Sequence, residues 1–244
     1  MNGEEIATAA AKAVGGLSEG FMSDPATYAH GAEQGYKGID FYFVGRAGVL
    51  GDVDADVVAA ALVFFNPDVV HKAWASSAAV LPRLEAAAAW AACGARWADR
   101  HLGDDLDWAR LDELAAKVVD EASPSGAPIF AGLRRLAVPS DPKQAALHRC
   151  NCLRELRMAR HGAAVIATGL DVADAVRHRS PHMLGIYGWE DRPVDPGFAE
   201  RWEEAERLTN VASARDYEVL DDAEAEDFVK LADAALAAVS KARS

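Results

Sequence analysis

Long apolar runs are missing from this sequence, and none approaches the ~18 residues that a membrane span requires. A membrane is therefore not expected among its partners. The N-terminal stretch MNGEEIATAAAKAV has two early glutamates and no basic segment, so no secretion signal is expected. Cysteine is scarce: Cys93, Cys150 and Cys152 are the only three. They form no C-x-x-C pair, which excludes a disulfide framework and a zinc ribbon and fits a reducing, cytoplasmic compartment. Positive charge is also in short supply. Lysine and arginine total 25 against 38 aspartates and glutamates, giving a net charge of -13 over 244 residues.

What is abundant is alanine, a strong helix former, within a chain that is 51% hydrophobic and has ample length for a buried core. The fold expected is mainly α. An opening helix is predicted over about Glu4 to Leu17, and a second from Pro25, with Ser23 or Asp24 as cap. Gly45, Gly48 and Gly51 read as a turn. A short helix follows behind Asp54 and breaks near Asn66-Pro67. One long helical stretch is then predicted from Pro67 to His101, and another over Asp107–Glu121. Ser123 to Leu133 is the best linker, dividing the chain into halves 1–122 and 123–244. Beyond it come a long helix from Asp141-Pro142 to Gly169, a shorter one in LDVADAVRHRS, and an irregular Pro181–Pro196 segment with room for a small β-hairpin wing. The acidic remainder from Phe198 is helical. GVLGDVDADVVAAALVFFNPDVV and AVIATGLDVADAVRHRSPHMLG echo each other in turn, acidic cap, short helix and proline break. Two related helix-turn-helix or winged-helix-like halves are the favoured architecture, and a generic helical bundle is the plainer alternative.

The charge is unevenly spread. Residues 1–122 hold 9 basic against 19 acidic residues and residues 123–244 hold 16 against 19, whereas residues 134–179 hold nine against four. Within that basic island HRCNCLRELRMARH, at ~100° per residue, puts His148, Cys152 and Glu155 on one stripe. Cys150, Arg154, Arg157 and His161 fall on the opposite stripe. Leu147, Leu153, Leu156 and Met158 do not gather on one face, so the helix should be buried on several sides with polar groups turned inward. Arg154 and Glu155, being adjacent, should not serve each other and need partners from elsewhere. Three readings stay open. His148, Cys152 and Glu155 can ligate a metal with a fourth ligand from His30, His71, His161 or His178, although no closed metal motif is present. Arg154, Arg157 and His161 can bind an anionic small molecule while Glu155 or a histidine moves a proton. Or the segment is a buried ion-pair network. His178 and His182 are separated by Pro181 and read as structural. In the first half Tyr28, His30, Glu33 and Tyr36 form a polar-aromatic stripe, followed by Tyr42, Arg46, Phe64, Phe65 and Asn66. Arg46, flanked by apolar residues on both sides, needs a specific partner.

YFVGRAGVLGDV, FFNPDVV, HRCNCLRELRMARHGAAVIATGLD and Gly188-Trp189 together resemble an actinobacterial family of helix-turn-helix-like proteins. The resemblance covers about residues 28–235, and the C-terminal part is similar to winged-helix regulators of the MarR type. The family's pattern H-x-x-x-x-L-R-E-H-R-x-D-x-H is met here by His148, Arg154, Glu155, Arg157 and His161 and broken at Leu156 and Ala159. The resemblance implies fold and site more than a reaction, and a homodimer through terminal helices.

A DNA reader needs concentrated positive charge. The first short helix, DADVVAAALVFF, is led by aspartates and has no base-reading side chain, and the second offers only Arg177, His178 and Arg179. On that balance nucleic acid is not expected as a partner. The favoured function is small-molecule binding on a repurposed scaffold, in the form of a secondary-metabolism tailoring enzyme. His148, Glu155 and His161 would be its proton-transfer groups, with Arg46, Arg154, Arg157, His30, Phe65 and Asn66 holding an anionic or aromatic substrate. No metal ligand is assigned and the cofactor is left open. A MarR-like ligand-responsive regulator is the alternative, and a metal- or haem-dependent enzyme the third reading.

Overall fold

The computed structural model describes residues 1–243. Among them there is no strand, and the fold is all-α. The chain opens with α1 (Gly3–Ala9), α2 (Ala11–Gly16) and α3 (Glu19–Met22), followed by α4 (Pro25–Gln34) and α5 (Asp40–Ala47). A 3-10 turn at Gly48–Leu50 leads to α6 (Ala55–Ala61), α7 (Pro67–Ser76), α8 (Arg83–His101) and α9 (Trp108–Glu121). Then come α10 (Pro128–Leu133), α11 (Pro142–Ala167), α12 (Val172–Arg179), a second 3-10 turn at Pro181–Met183, α13 (Phe198–Tyr217) and α14 (Asp222–Arg243).

Side-chain caps set most of the helix starts. Asp24, Asp54, Asn66, Asp141 and Asp171 each accept a hydrogen bond from the backbone of the first turn, and α4, α7 and α11 carry proline at their start, where no helical N–H is needed. The expected long helix from Pro67 to His101 is two helices: α7 ends at Ser76, turns occupy residues 77–80, and α8 restarts behind Pro82, whose own backbone is extended. Gly45 is not part of a turn. It lies inside α5, where a Cβ would fall 2.6 Å from the Cβ of Trp90, so glycine is what lets α5 press onto α8. The small β-wing allowed for at 181–196 is absent: that segment is a 3-10 turn and irregular backbone.

α5 is buried from Phe41 to Ala47, and α11 is packed by α2, α8, α9, α10 and α13. A helix enclosed on so many sides has no single solvent face, which explains the scattered leucines of its sequence. The main hydrophobic cluster runs from Ile6 to Val239 and draws on residues from both sides of the 122/123 division. A smaller cluster gathers Phe64, Val165, Leu170, Val176, Leu184 and Ala205 between the end of α11, α12 and α13. Two hydrogen bonds tie the turn before α7 to this second cluster: Trp189 Nε1 donates to the Phe64 carbonyl at 2.9 Å, and Asn66 N–H to the Tyr187 carbonyl at 2.9 Å. Among the described residues no helix is long and apolar enough to cross a membrane.

Candidate functional site

At the seam between the two clusters lies a cavity of about 410 Å³. α11 supplies Arg154, Arg157, Met158 and His161 to its lining, α12 supplies Ala175, Val176 and Arg179, and α13 supplies Trp202 and Glu206. Phe64, Tyr187 and the N-terminal residues Lys12 and Glu19 are also among its lining. Arg154, Arg157 and His161 come together because steps of three and four place them on one face of α11. Lys12, Arg154, Arg157 and Arg179 outnumber Glu19 and Glu206, so this cavity is cationic in an acidic protein.

Behind the cavity wall sits a buried ion pair. Arg46 reaches from α5 to Glu155 with Nε to Oε1 at 3.0 Å and Nη2 to Oε2 at 2.9 Å, a bidentate pairing. Its Nη1 donates to the Tyr42 hydroxyl at 2.8 Å, and its guanidinium lies 4.9 Å from the Tyr42 ring centre and 5.8 Å from that of Phe65. Arg46 thus has the specific partner that its apolar surroundings demand. Arg154 also donates to Glu155 Oε1, at 2.7 Å, so adjacent residues do serve each other here. The long arginine side chain folds back over its own helix, a path that the spacing argument overlooks. Burial alone would raise the Glu155 carboxyl, but the charges and hydrogen bonds of Arg46 and Arg154 outweigh it and hold the group below the usual range. The carboxylate is ionised, and two guanidiniums share it.

His161 is gripped on two sides. Its ring stacks on Phe64 at 5.4 Å and meets the edge of Trp202 at 5.4 Å. The Thr209 hydroxyl gives its one proton to the Ala205 carbonyl at 2.6 Å, so its oxygen, 3.0 Å from His161 Nδ1, accepts the Nδ1 proton. Nε2 is then the lone-pair nitrogen and has no partner among the described residues. Burial, only partly offset by Glu206 and reinforced by Arg157 and Arg179, lowers the imidazole below its ordinary value. Arg157 is fixed by Asn210 Oδ1 at 3.0 Å and by Glu206 at 3.4 Å. Tyr187 packs on Phe65 at 4.1 Å, and burial, beside Tyr42, pushes its phenol up.

The other residues singled out in the sequence lie elsewhere. His148 precedes His161 by thirteen positions on one straight helix, about 20 Å along the axis. It packs beside Phe21 and Asn151 with Cys152 Sγ 3.8 Å away, and burial pushes it down to about 4. His148, Glu155 and His161 therefore do not converge as a proton-transfer group. His30, on α4, lies 6.2 Å from the Phe41 ring and 3.9 Å from Glu33. Phe65 does not line the cavity but packs on Tyr187, which does, and Asn66 is the cap of α7. Nor does the His148–Cys152–Glu155 stripe form a metal site: Glu155 turns to the arginines, burial pushes the Cys152 thiol up to about 12, and among the described residues no three His, Cys, Asp or Glu side chains cluster for a metal. Lys12, Arg179, Tyr187, Trp202 and Glu206 went unnoticed for this site because they reach it only through tertiary folding.

α11 and α12 are joined by the short turn 168–171, in which Gly169 takes the left-handed φ of 67° and Asp171 caps the second helix. Two helices linked by such a glycine-containing turn have the connectivity of a helix-turn-helix unit. A family model described as "Helix-turn-helix family" matches residues 7–244. The chain belongs to this helix-turn-helix family. No curated protein and no solved structure matches it. Membership corrects the exclusion of nucleic acid drawn from the charge balance, since helix-turn-helix families point to DNA. The net charge describes the whole molecule, whereas docking depends on a local edge. Membership favours a regulator over a tailoring enzyme, to which it lends nothing.

Proposed function

We propose that the protein is a ligand-responsive transcriptional regulator, similar in logic to the MarR type, whose effector is a small molecule bound between α11, α12 and α13. The observation that carries this reading is the double use of α12. It is the second helix of the α11–α12 unit, and its Ala175, Val176 and Arg179 also line the cavity. The last turn of α12 holds Arg177, His178 and Arg179. Arg177 is engaged by Asp174 at 2.5 Å and Asp191 at 3.0 Å, and His178 packs on Trp202 at 4.7 Å. Arg179 is exposed and has no hydrogen bond or ion pair among the described residues, so it is open to an anion, either a DNA phosphate or one held in the cavity that it also lines, and the two would compete for it.

A ligand that occupies the cavity touches the helix that would touch DNA, which is the coupling that a regulator needs. The test is an electrophoretic shift with DNA flanking the protein's own gene. Sequence-specific retardation that Arg179→Ala weakens supports the reading, and retardation no stronger than with scrambled DNA of equal length refutes it.

A further inference from the structure

The effector's chemical class can be narrowed from the cavity's donors and acceptors, an inference that rests on the ligand-responsive reading. Guanidiniums offer donors only, so Arg154, Arg157 and Arg179 call for an anion. Arg157 and His161 sit one helical turn apart, which puts a different demand beside the first. With Nδ1 committed to Thr209, the unused His161 Nε2 accepts a hydrogen bond and cannot give one. Arg157 on α11, Arg179 on α12 and Lys12 on α2 surround this imidazole with positive charge, against Glu206 on α13 and Glu19 on α3. The walls between these polar groups are Phe64, Tyr187 and Trp202, flat surfaces suited to a ring. A volume of about 410 Å³ falls within the range of small-molecule sites.

We infer that this cavity takes an aromatic anion that carries its own O–H or N–H donor, the anionic end on Arg154, Arg157 and Arg179 and the donor on Nε2 of His161. A ring without the donor leaves Nε2 desolvated and unpaired, and one without the charge leaves Arg179 without the kind of counter-ion that Arg154 has in Glu155 and Arg157 in Glu206.

Calorimetric titration of the full chain at neutral pH with three probes of one shape tests this: indole-5-carboxylate, its N-methyl analogue and indole-5-carboxamide. The carboxylate should bind, and the other two should bind at least about tenfold more weakly. Arg179→Gln, at an exposed position, should weaken the carboxylate and leave the carboxamide unchanged. His161→Phe should make the carboxylate and its N-methyl analogue bind alike, with a thermal melt recorded on each variant to verify folding. Equal binding of the N-methyl analogue to the native protein, or no binding of any probe, overturns the inference. The DNA shift is scored separately. Specific DNA binding without probe binding sinks the effector class alone, whereas probe binding without DNA binding sinks the regulator reading and leaves the cavity's chemistry standing.

Discussion

Arg46 and Glu155 meet across more than a hundred positions of sequence, and both are almost entirely sheltered from water. A buried pair of this kind contributes little net stability relative to apolar residues, yet removing one partner strands the other charge. Glu155→Gln is therefore expected to destabilise the protein by about 3–5 kcal/mol in urea unfolding, because it leaves Arg46 without a counter-charge. The double variant Arg46→Met/Glu155→Met should recover most of that deficit. His148 sets a pH dependence of opposite origin. It is neutral when folded down to about 4, while the unfolded chain takes up a proton near the ordinary value of 6.5. Between those values the unfolded state binds more protons, so stability should fall as pH falls, by at most about 3 kcal/mol. His148→Gln should flatten that slope in unfolding curves recorded between neutral pH and about 4.5. From the sequence alone, the need of Arg46 for a partner is legible because a charge sits in an apolar run. The identity of that partner is not, since Glu155 lies 109 positions further along the chain and only tertiary packing brings α11 against α5.

At the scale of elements, local chemistry explains most of what the sequence discloses. Asp24-Pro25, Asn66-Pro67, Asp141-Pro142 and the Asp54 and Asp171 caps mark their helix starts without help from the rest of the fold. The failures are breaks that contain few breakers, such as the parting of α1 from α2 at Ala10, and glycines used for close approach rather than for turning. Gly45 is the clearest case. Gly45→Ala should overpack the α5–α8 contact against Trp90 and lower stability by about 1–3 kcal/mol in thermal melts. Asp171→Ala removes the cap of α12, whose side chain accepts from Ala173 N–H at 2.8 Å. It should cost about 1 kcal/mol and, by fraying the helix that carries Arg179, weaken DNA binding in the same shift assay.

The whole molecule is where the sequence is least informative. α11 shows its cationic face in its own spacing, but nothing local says that α13 will bring Trp202 and Glu206 against it, or that Tyr187 will close the other side. The same limit explains the misleading charge balance. An overall charge of -13 sets a long-range field, while the α11–α12 unit presents one free arginine at one edge. Whether that edge meets DNA is read most directly by fluorescence anisotropy of a labelled duplex from the flanking DNA, titrated across a salt series with native protein and Arg179→Ala. The expected result is sequence-specific binding that weakens steeply with salt, the slope of the variant being shallower by about one for each phosphate that Arg179 neutralises. Binding that ignores sequence, or a salt slope identical in both proteins, would contradict it.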